Sequence, residues 1–333
     1  MTRSFFLFFF FLNIFLYGQS PKYQLGHGLQ VGELPLYVGG YASLAYEDIS
    51  HGYRSLKLED ISLMLYGEKN HFSYMMELEA EDVYSEVYGN EDAEAVNEHF
   101  HIERLYLEYT FNENYRIRVG KYFSPVGLWN RIPINVLRDT TSNPLISRQL
   151  FPLFTSGADI KYTSNGYDGF AVDVMMQENE DIDTLVSDEI YNNIETDRHY
   201  GVGISWSQDE AFYRFNAGYF RTVSSEQYYY LQGAFEYRSG DFRLQAEVGR
   251  QFDDVGTTIP YMGYIQGVYT LKEKHEAIVR VESYSNRVTQ TKESFAVFGY
   301  TYRPVYPIAI KGEYQWHALH DENSFFLSLS ILF

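Results

Sequence analysis

Five arginines lie close together in the middle of the chain and are the first candidates for chemistry. They are Arg116, Arg118, Arg131, Arg138 and Arg148. The segment 124–156, which carries the last three, has Asp139 as its one acidic residue, although the chain has 26 basic against 45 acidic residues. A guanidinium stays charged at physiological pH and offers five N–H donors. Between low-dielectric walls, such charges would attract anions.

The same arginines also have a purely structural interpretation, which the sequence leaves open. Four acidic residues could pair with them and hold the segment 124–156 in place: Glu108, Asp139, Asp159 and Asp173. In that case the arginines would be neutralised and would contribute little to selectivity.

Acidic residues concentrate in two runs without lysine or arginine, residues 81–98 and residues 178–197. Four of these carboxylates could chelate Ca²⁺, or bridge through divalent cations to anionic lipopolysaccharide: Glu178, Glu180, Asp181 and Asp183. Their spacing does not match an EF-hand loop. The alternative interpretation is that both runs are solvated, mobile loops.

Catalytic and metal motifs are weak. His99, His101 and Glu103 would share one face of a strand, but no fourth ligand type is near them in sequence, so no metal site is predicted. The chain lacks cysteine and has neither a nucleophile elbow, nor a zinc-protease motif, nor a phosphate-binding glycine loop. We therefore predict no enzyme activity, no cofactor and no nucleic-acid partner.

The elements that position these residues show a period of two, which is typical of β-strands. Sixteen segments alternate in this way: Leu36–Glu47, Tyr53–Tyr66, Phe72–Val83, His101–Phe111, Tyr115–Phe123, Gly157–Thr163, Phe170–Met176, His199–Trp206, Phe212–Thr222, Tyr228–Arg238, Phe242–Phe252, Tyr261–Leu271, Glu276–Arg287, Phe295–Arg303, Ile308–Ala318 and Ser324–Phe333. Short turns alternate with longer loops, and a shift of parity predicts a bulge near Glu59 and Asp60. This pattern predicts an all-β transmembrane antiparallel barrel of about sixteen strands, wide enough for an aqueous channel. A soluble β-sandwich or propeller is the alternative.

The two ends of the chain fit an exported barrel. Residues 1–20 combine an early positive charge, a 13-residue apolar run (Phe5–Tyr17) and small residues, as in a secretory signal peptide. That run is short for a spanning helix, although an uncleaved anchor is the alternative. Residues 21–333 are predicted to form a single domain. The last segment, Ser324–Phe333, should pair with the first strand, near Leu36–Tyr46, to close the barrel.

Two stretches resemble Gram-negative porins, particularly the phosphate-selective O and P type. They are Arg104–Phe111 and the following Arg116–Asn130, which look like a strand, turn, strand and loop of that family. The resemblance implies that the third loop folds inward and narrows the channel. It also implies that an aromatic C-terminal residue, here Phe333, is read by the barrel-assembly machinery, and that the chain forms a homotrimer.

Together these features predict a passive diffusion pore in the outer membrane of a Gram-negative bacterium. Small hydrophilic solutes would pass, with a mild preference for anions set by the five arginines, and the barrel would contact outer-membrane lipid and lipopolysaccharide. The alternative is a non-conducting barrel that acts as a surface adhesin or structural protein through its acidic loops.

Overall fold

A computed structural model describes residues 23–88, 99–132, 134–165, 169–185, 191–319 and 323–333. The proposed signal peptide, residues 1–20, lies outside them. The described strands are β1 Tyr23–Gln24, β2 Gly28–Gln30, β3 Tyr37–Ile49, β4 Arg54–Lys69, β5 Phe72–Tyr88, β6 His99–Thr110, β7 Tyr115–Phe123, β8 Phe154–Thr163, β9 Ala171–Gln177, β10 Thr196–Gln208, β11 Ala211–Thr222, β12 Gln227–Ser239, β13 Phe242–Phe252, β14 Thr257–Leu271, β15 His275–Asn286, β16 Thr291–Tyr302, β17 Ile308–His317 and β18 Ser324–Leu332.

Within the described residues, the strands β3 to β18 form a closed antiparallel barrel of sixteen strands. Each strand pairs with its neighbour in sequence, and β18 pairs with β3 from Ser324 opposite Ile49 to Leu332 opposite Tyr41. The predicted strand count and closing pair are therefore confirmed. Gly40 of β3 leaves no room for a side chain, because a Cβ there would lie 2.2 Å from the Ser62 carbonyl oxygen of β4 and 3.0 Å from the Phe333 ring.

The barrel is apolar outside and polar inside. In β15, Val279 and Val281 are about half exposed (50% and 47%), whereas Arg280 and Glu282, which alternate with them, are buried. Side chains alternate across a strand, so the valines cover the outer face and the charged groups line the interior. This arrangement matches a barrel whose outer face meets lipid. None of the helices in the described part of the chain is long and apolar enough to cross a membrane.

Bulges change which residues reach the interior. The pairing of β4 with β5 shifts between Leu58 and Asp60, which confirms the predicted bulge. A second shift, on the pairing of β5 with β6, makes Glu77 face Arg104 while Leu78 faces Ile102. The extra residue is Glu103, and both Glu103 and Arg104 are consequently buried.

Several boundaries differ from the sequence-based prediction. β5 continues to Tyr88 instead of ending at Val83, because its last residues pair with β4, with Tyr88 opposite Arg54. The first part of the acidic run 81–98 is therefore strand, not loop, and residues 89–98 lie outside the described part. The short strands β1 and β2 were not predicted. They form a small hairpin whose second strand pairs with β3.

Candidate functional site

The segment 124–153 between β7 and β8 lies against the polar face of the wall. It contains two short 3-10 turns, Trp129–Arg131 and Asn135–Leu137, and one short helix, α1, Leu145–Gln149. The backbone N–H of Gly127 donates to Asn216 Oδ1 at 3.1 Å, and that of Trp129 donates to Glu247 Oε1 at 2.9 Å. These polar wall residues accept hydrogen bonds from backbone N–H groups of the segment, and so hold it against the wall.

An apolar cluster fixes the first and last parts of this segment. Four of its side chains are at most 1% exposed: Val126, Ile146, Leu150 and Phe151. They pack against inward-facing apolar groups of the wall, including Phe220, Tyr230 and Met262. The apolar composition of the segment was visible in the sequence, but its partners on β11, β12 and β14 come from distant parts of the chain.

Charged wall residues hold the middle of the segment. Lys311 Nζ donates to the Asn135 carbonyl oxygen at 2.5 Å and to Asn135 Oδ1 at 2.9 Å. Arg280 donates to Thr140 Oγ1 at 2.6 Å, and Asp139 forms a salt bridge with Arg243. These three cations anchor the segment to the wall. Asp139 therefore holds the segment to the wall through Arg243, which is not one of the five candidate arginines.

Three of the five candidate arginines meet in one cavity of about 230 Å³. The charged residues that line it are Arg104, Arg116, Arg118, Arg131, Lys161, Asp173 and Arg214. Arg116 lies 3.1 Å from Asp159 and 3.3 Å from Glu108, and Arg118 lies 2.8 Å from Glu108. The structural interpretation therefore applies in part to Arg116 and Arg118.

Arg131 differs from the other two because its side chain is exposed and, among the described residues, has no carboxylate within salt-bridge distance. Its guanidinium lies 5.9 Å from the centre of the Phe212 ring. Lys161, on β8, likewise has no salt bridge to a described residue. These two side chains bring positive charge to the cavity without a salt bridge to a described residue, and Lys161 was not among the sequence-based candidates.

The remaining two candidates, Arg138 and Arg148, lie in a separate, larger cavity of about 720 Å³. Its described lining includes eight acidic residues: Glu47, Glu59, Asp60, Glu79, Glu81, Asp82, Glu103 and Glu282. The only other cation in that lining is Lys57. The structure thus divides the predicted arginine site into two parts with opposite surroundings.

The second acidic run is partly buried, which corrects the expectation that it forms a solvated loop. Asp181 and Asp183 are at most 1% exposed and both contact Lys121, with Lys121 Nζ 3.1 Å from Asp181 Oδ1. Burial raises the pKa of Asp183, while the charge of Lys121 opposes that rise. These two carboxylates are therefore paired with a lysine, which argues against their chelating Ca²⁺. Lys121 could have been noticed as a charged residue at an outward position of β7.

The same connection, 178–195, also binds the segment 124–153. Asn193 Oδ1 accepts from the Leu153 N–H at 2.6 Å, and Asn193 Nδ2 donates to the Phe151 carbonyl oxygen at 2.9 Å. The Tyr191 hydroxyl donates to Glu81, and burial together with nearby carboxylates raises the pKa of Tyr191 well above its usual value. The described parts of the two connections consequently pack together, and both contribute to the lining of the larger cavity.

Comparisons with known proteins find relatives in fold alone. No family model and no curated protein matches the chain. OmpF of Salmonella typhi in complex with daunomycin aligns with a TM-score of 0.65 and 9% identity, over 90% of this chain and 97% of that one. A loop L8 deletion mutant of OmpT from Vibrio cholerae gives 0.62 and 12%, over 90% and 99%.

The anion-selective porin of Comamonas acidovorans aligns with a TM-score of 0.60 and 12% identity, over 89% of this chain and 98% of that one. At these identities the likeness concerns the fold. The closed barrel, its apolar outer face and these neighbours indicate an outer-membrane protein with the sixteen-strand fold of Gram-negative porins.

Proposed function

We propose that the chain forms a passive aqueous pore for small hydrophilic solutes and catalyses no reaction. The observation that carries the proposal is the polar, charged interior of a sixteen-strand barrel, which holds two water-accessible cavities of about 720 and 230 Å³ beside one packed segment. Barrels of this size leave an aqueous channel, whereas eight-stranded barrels fill with side chains. The segment 124–153, folded inward, would set the narrowest point.

An anion preference is supported by the smaller cavity. Its lining has six cations, and these cations pair with four carboxylates, Glu77, Glu108, Asp159 and Asp173, which leaves an excess of two positive charges. Arg131 and Lys161 supply that excess. In this proposal Arg116 and Arg118 shape the cavity and contribute potential, and Arg131 contacts permeating anions directly.

A cation preference is supported by the larger cavity. Its eight acidic residues exceed its three cations, Lys57, Arg138 and Arg148, by five charges. Here Arg138 and Arg148 reduce a negative potential and do not create a positive one. The phosphate selectivity that the sequence resemblance implies has no dense cationic lining to support it in this cavity.

Reconstitution into a planar bilayer under a KCl gradient tests both levels of the proposal. Stepwise conductance is expected, and its absence would refute the pore and favour the non-conducting adhesin or structural barrel. The sign of the reversal potential then decides between the two ion preferences. A cation-selective reversal potential would refute the anion preference and leave the pore intact.

Deletion of residues 126–150 tests the role of the inward segment, and we expect a larger single-channel conductance. Shortening the exposed turn at Asp254–Gly256 is the matched control and should leave conductance unchanged. Folding of both variants is checked by the heat-dependent shift in gel migration. An unchanged conductance in a folded deletion variant would mean that the segment does not limit the pore.

The proposed assembly state is a homotrimer. OmpT of Vibrio cholerae is described in a trimer form, and we extend a homotrimer to this chain. In this proposal the signal peptide at residues 1–20 directs export, and the barrel-assembly machinery recognises Phe333. The folded barrel contacts outer-membrane lipid and lipopolysaccharide.

A further inference from the structure

We infer that Glu79, His101 and Glu103 form a binding site for a divalent transition-metal ion of the zinc class on the wall of the acid-rich cavity. The three side chains are 4 to 5% exposed. One ligand atom from each lies within 4.8 Å of the other two. The sequence predicted no metal site, because it does not reveal that β5 places Glu79 opposite His101.

The register of four strands builds this cluster. Tyr41 on β3 faces Ser62 on β4, Ser62 faces Glu79 on β5, and Glu79 faces His101 on β6. Residues directly opposite each other have Cβ atoms about 4.5–5.5 Å apart, so a row of side chains crosses the inner face. The bulge on β6 lets Glu103 and Arg104 both be buried. In a regular strand these two neighbours would point to opposite faces of the sheet.

The distances suit a small ion. His101 Nε2 lies 3.6 Å from Glu79 Oε2. Zinc bonds to nitrogen and oxygen of about 2.0–2.2 Å in a tetrahedron place neighbouring ligand atoms about 3.4 Å apart. The Tyr41 hydroxyl lies 2.9 Å from Glu103 Oε2 and 3.2 Å from Glu79 Oε1, and so holds both carboxylates towards one point. Such hydrogen bonds orient metal ligands.

No arginine or lysine of the described residues forms a salt bridge with Glu79 or Glu103. Among the described residues, the one group within salt-bridge distance of either is His101 itself. Arg104, adjacent to Glu103 in the chain, pairs with Glu77 instead. An ion of charge +2 would offset the charges of Glu79 and Glu103 together.

A buried polar atom beside the cluster lacks a partner, which points independently to a ligand at this place. Asp60 lies on β4 two residues before Ser62, lines the same cavity, and its Oδ1 has no hydrogen-bond partner among the described residues. The side chain is only 9% exposed. Buried polar groups are normally satisfied, so water held by an ion at the cluster would give Asp60 a partner.

The donor set selects the class of ion. An imidazole nitrogen with two carboxylate oxygens suits Zn²⁺ and similar first-row ions, whereas Ca²⁺ and Mg²⁺ take oxygen ligands in larger or octahedral shells. The Tyr191 ring stacks on His101 and closes one side of the site. The site is independent of the proposed pore function, because binding can be measured without conductance.

The test uses the full chain purified in detergent without a histidine tag, dialysed against ZnCl₂. We expect one Zn²⁺ per chain and at least about tenfold weaker binding in Glu79→Gln, His101→Gln and Glu103→Gln. His317→Gln is the matched control, since His317 also pairs with a glutamate, Glu293, at 2.8 Å, and its affinity should not change. A 100-fold excess of Ca²⁺ should not displace the zinc.

Several outcomes would overturn the site. They are an absence of stoichiometric zinc binding, equal binding by the wild type and the His101→Gln variant, loss of binding in His317→Gln, or displacement by Ca²⁺. X-ray absorption of the zinc-loaded wild type tests the ligands directly, so its result does not depend on whether the variants fold. It should show one imidazole and oxygen ligands, and a spectrum without imidazole would refute the proposal.

Discussion

Replacement of Lys121 by methionine should destabilise the barrel through the connection 178–195. Lys121 is fully buried and contacts Asp181 and Asp183, and it also donates to the Tyr191 carbonyl oxygen at 3.1 Å. Removing one partner of a buried ion pair costs about 3–5 kcal/mol, because the other charge remains without compensation. Since two carboxylates lose their partner here, we expect a loss of about 3–5 kcal/mol in the free energy of unfolding.

Urea titration of the protein in lipid vesicles, followed by tryptophan fluorescence, measures this loss. Lys161→Met is the matched control, because that lysine has no salt bridge to a described residue, and its effect should stay within about 0.5 kcal/mol. The triple variant Lys121→Met, Asp181→Asn, Asp183→Asn removes both buried negative charges and should recover most of the loss. A Lys121→Met variant as stable as the wild type would refute the reasoning.

The pH dependence of the unfolding free energy of the Lys121→Met variant tests the same ion pair in a second way. Burial already raises the pKa of Asp183, and loss of the lysine removes the charge that opposes this rise. A carboxyl whose folded pKa is raised makes the folded state less stable as the pH rises through that pKa. The deficit relative to the wild type should therefore shrink as the pH falls from 7 towards 5, and a deficit that grows on acidification would contradict this account.

Three further variants test the anchoring of the inward segment, the charge of the smaller cavity and the packing at Gly40. Leu150→Ala removes a fully buried side chain from the apolar cluster and should lower the urea stability by about 2–5 kcal/mol, and a loss below about 1 kcal/mol would mean that the cluster is not closely packed. Arg131→Gln combined with Lys161→Gln should shift the reversal potential towards cation selectivity. Lys292→Gln, on an exposed part of β16, should not shift it. Equal shifts in both variants would mean that the charges of the smaller cavity do not set the selectivity. Gly40→Val should disturb the packing of β3 against β4 and Phe333, seen as loss of heat-dependent gel migration, while Gly256→Val, whose added Cβ meets nothing within 4 Å, should fold normally. Normal folding of Gly40→Val would contradict the close packing at this glycine.

Much of the barrel could be predicted because each strand carries its own signal. Period-two alternation needs no knowledge of partners, and one face of each strand meets a different solvent, so the register of a segment such as Phe325–Phe333 follows from its own residues. The bulge at Glu59 and Asp60 was visible for the same reason. The continuation of β5 to Tyr88 was missed because its acidic residues suggested a loop, while pairing with β4 decided the outcome.

The sites could not be predicted to the same degree because they depend on pairing between distant residues. Arg131 and Arg138 are seven positions apart, yet they line different cavities, since the segment between them turns against the wall. Glu79 reaches His101 through a strand register that neither residue reveals alone. The role of each charge is set by what lies opposite it, which a single sequence does not contain.

The connection 178–195 links the stability of the wall to the inferred metal site. Pairing of β6 with β7 begins at Leu105, so the described end of β6 before that residue has no partner on β7. Asp183 accepts from the Ile102 N–H at 3.3 Å and Tyr191 stacks on His101, so this connection covers the exposed strand edge. Because Lys121 holds Asp183 in place, Lys121→Met should also weaken zinc binding, although it removes no ligand. Unchanged zinc affinity in a destabilised Lys121→Met variant would show that the site holds its geometry without the cover of this connection.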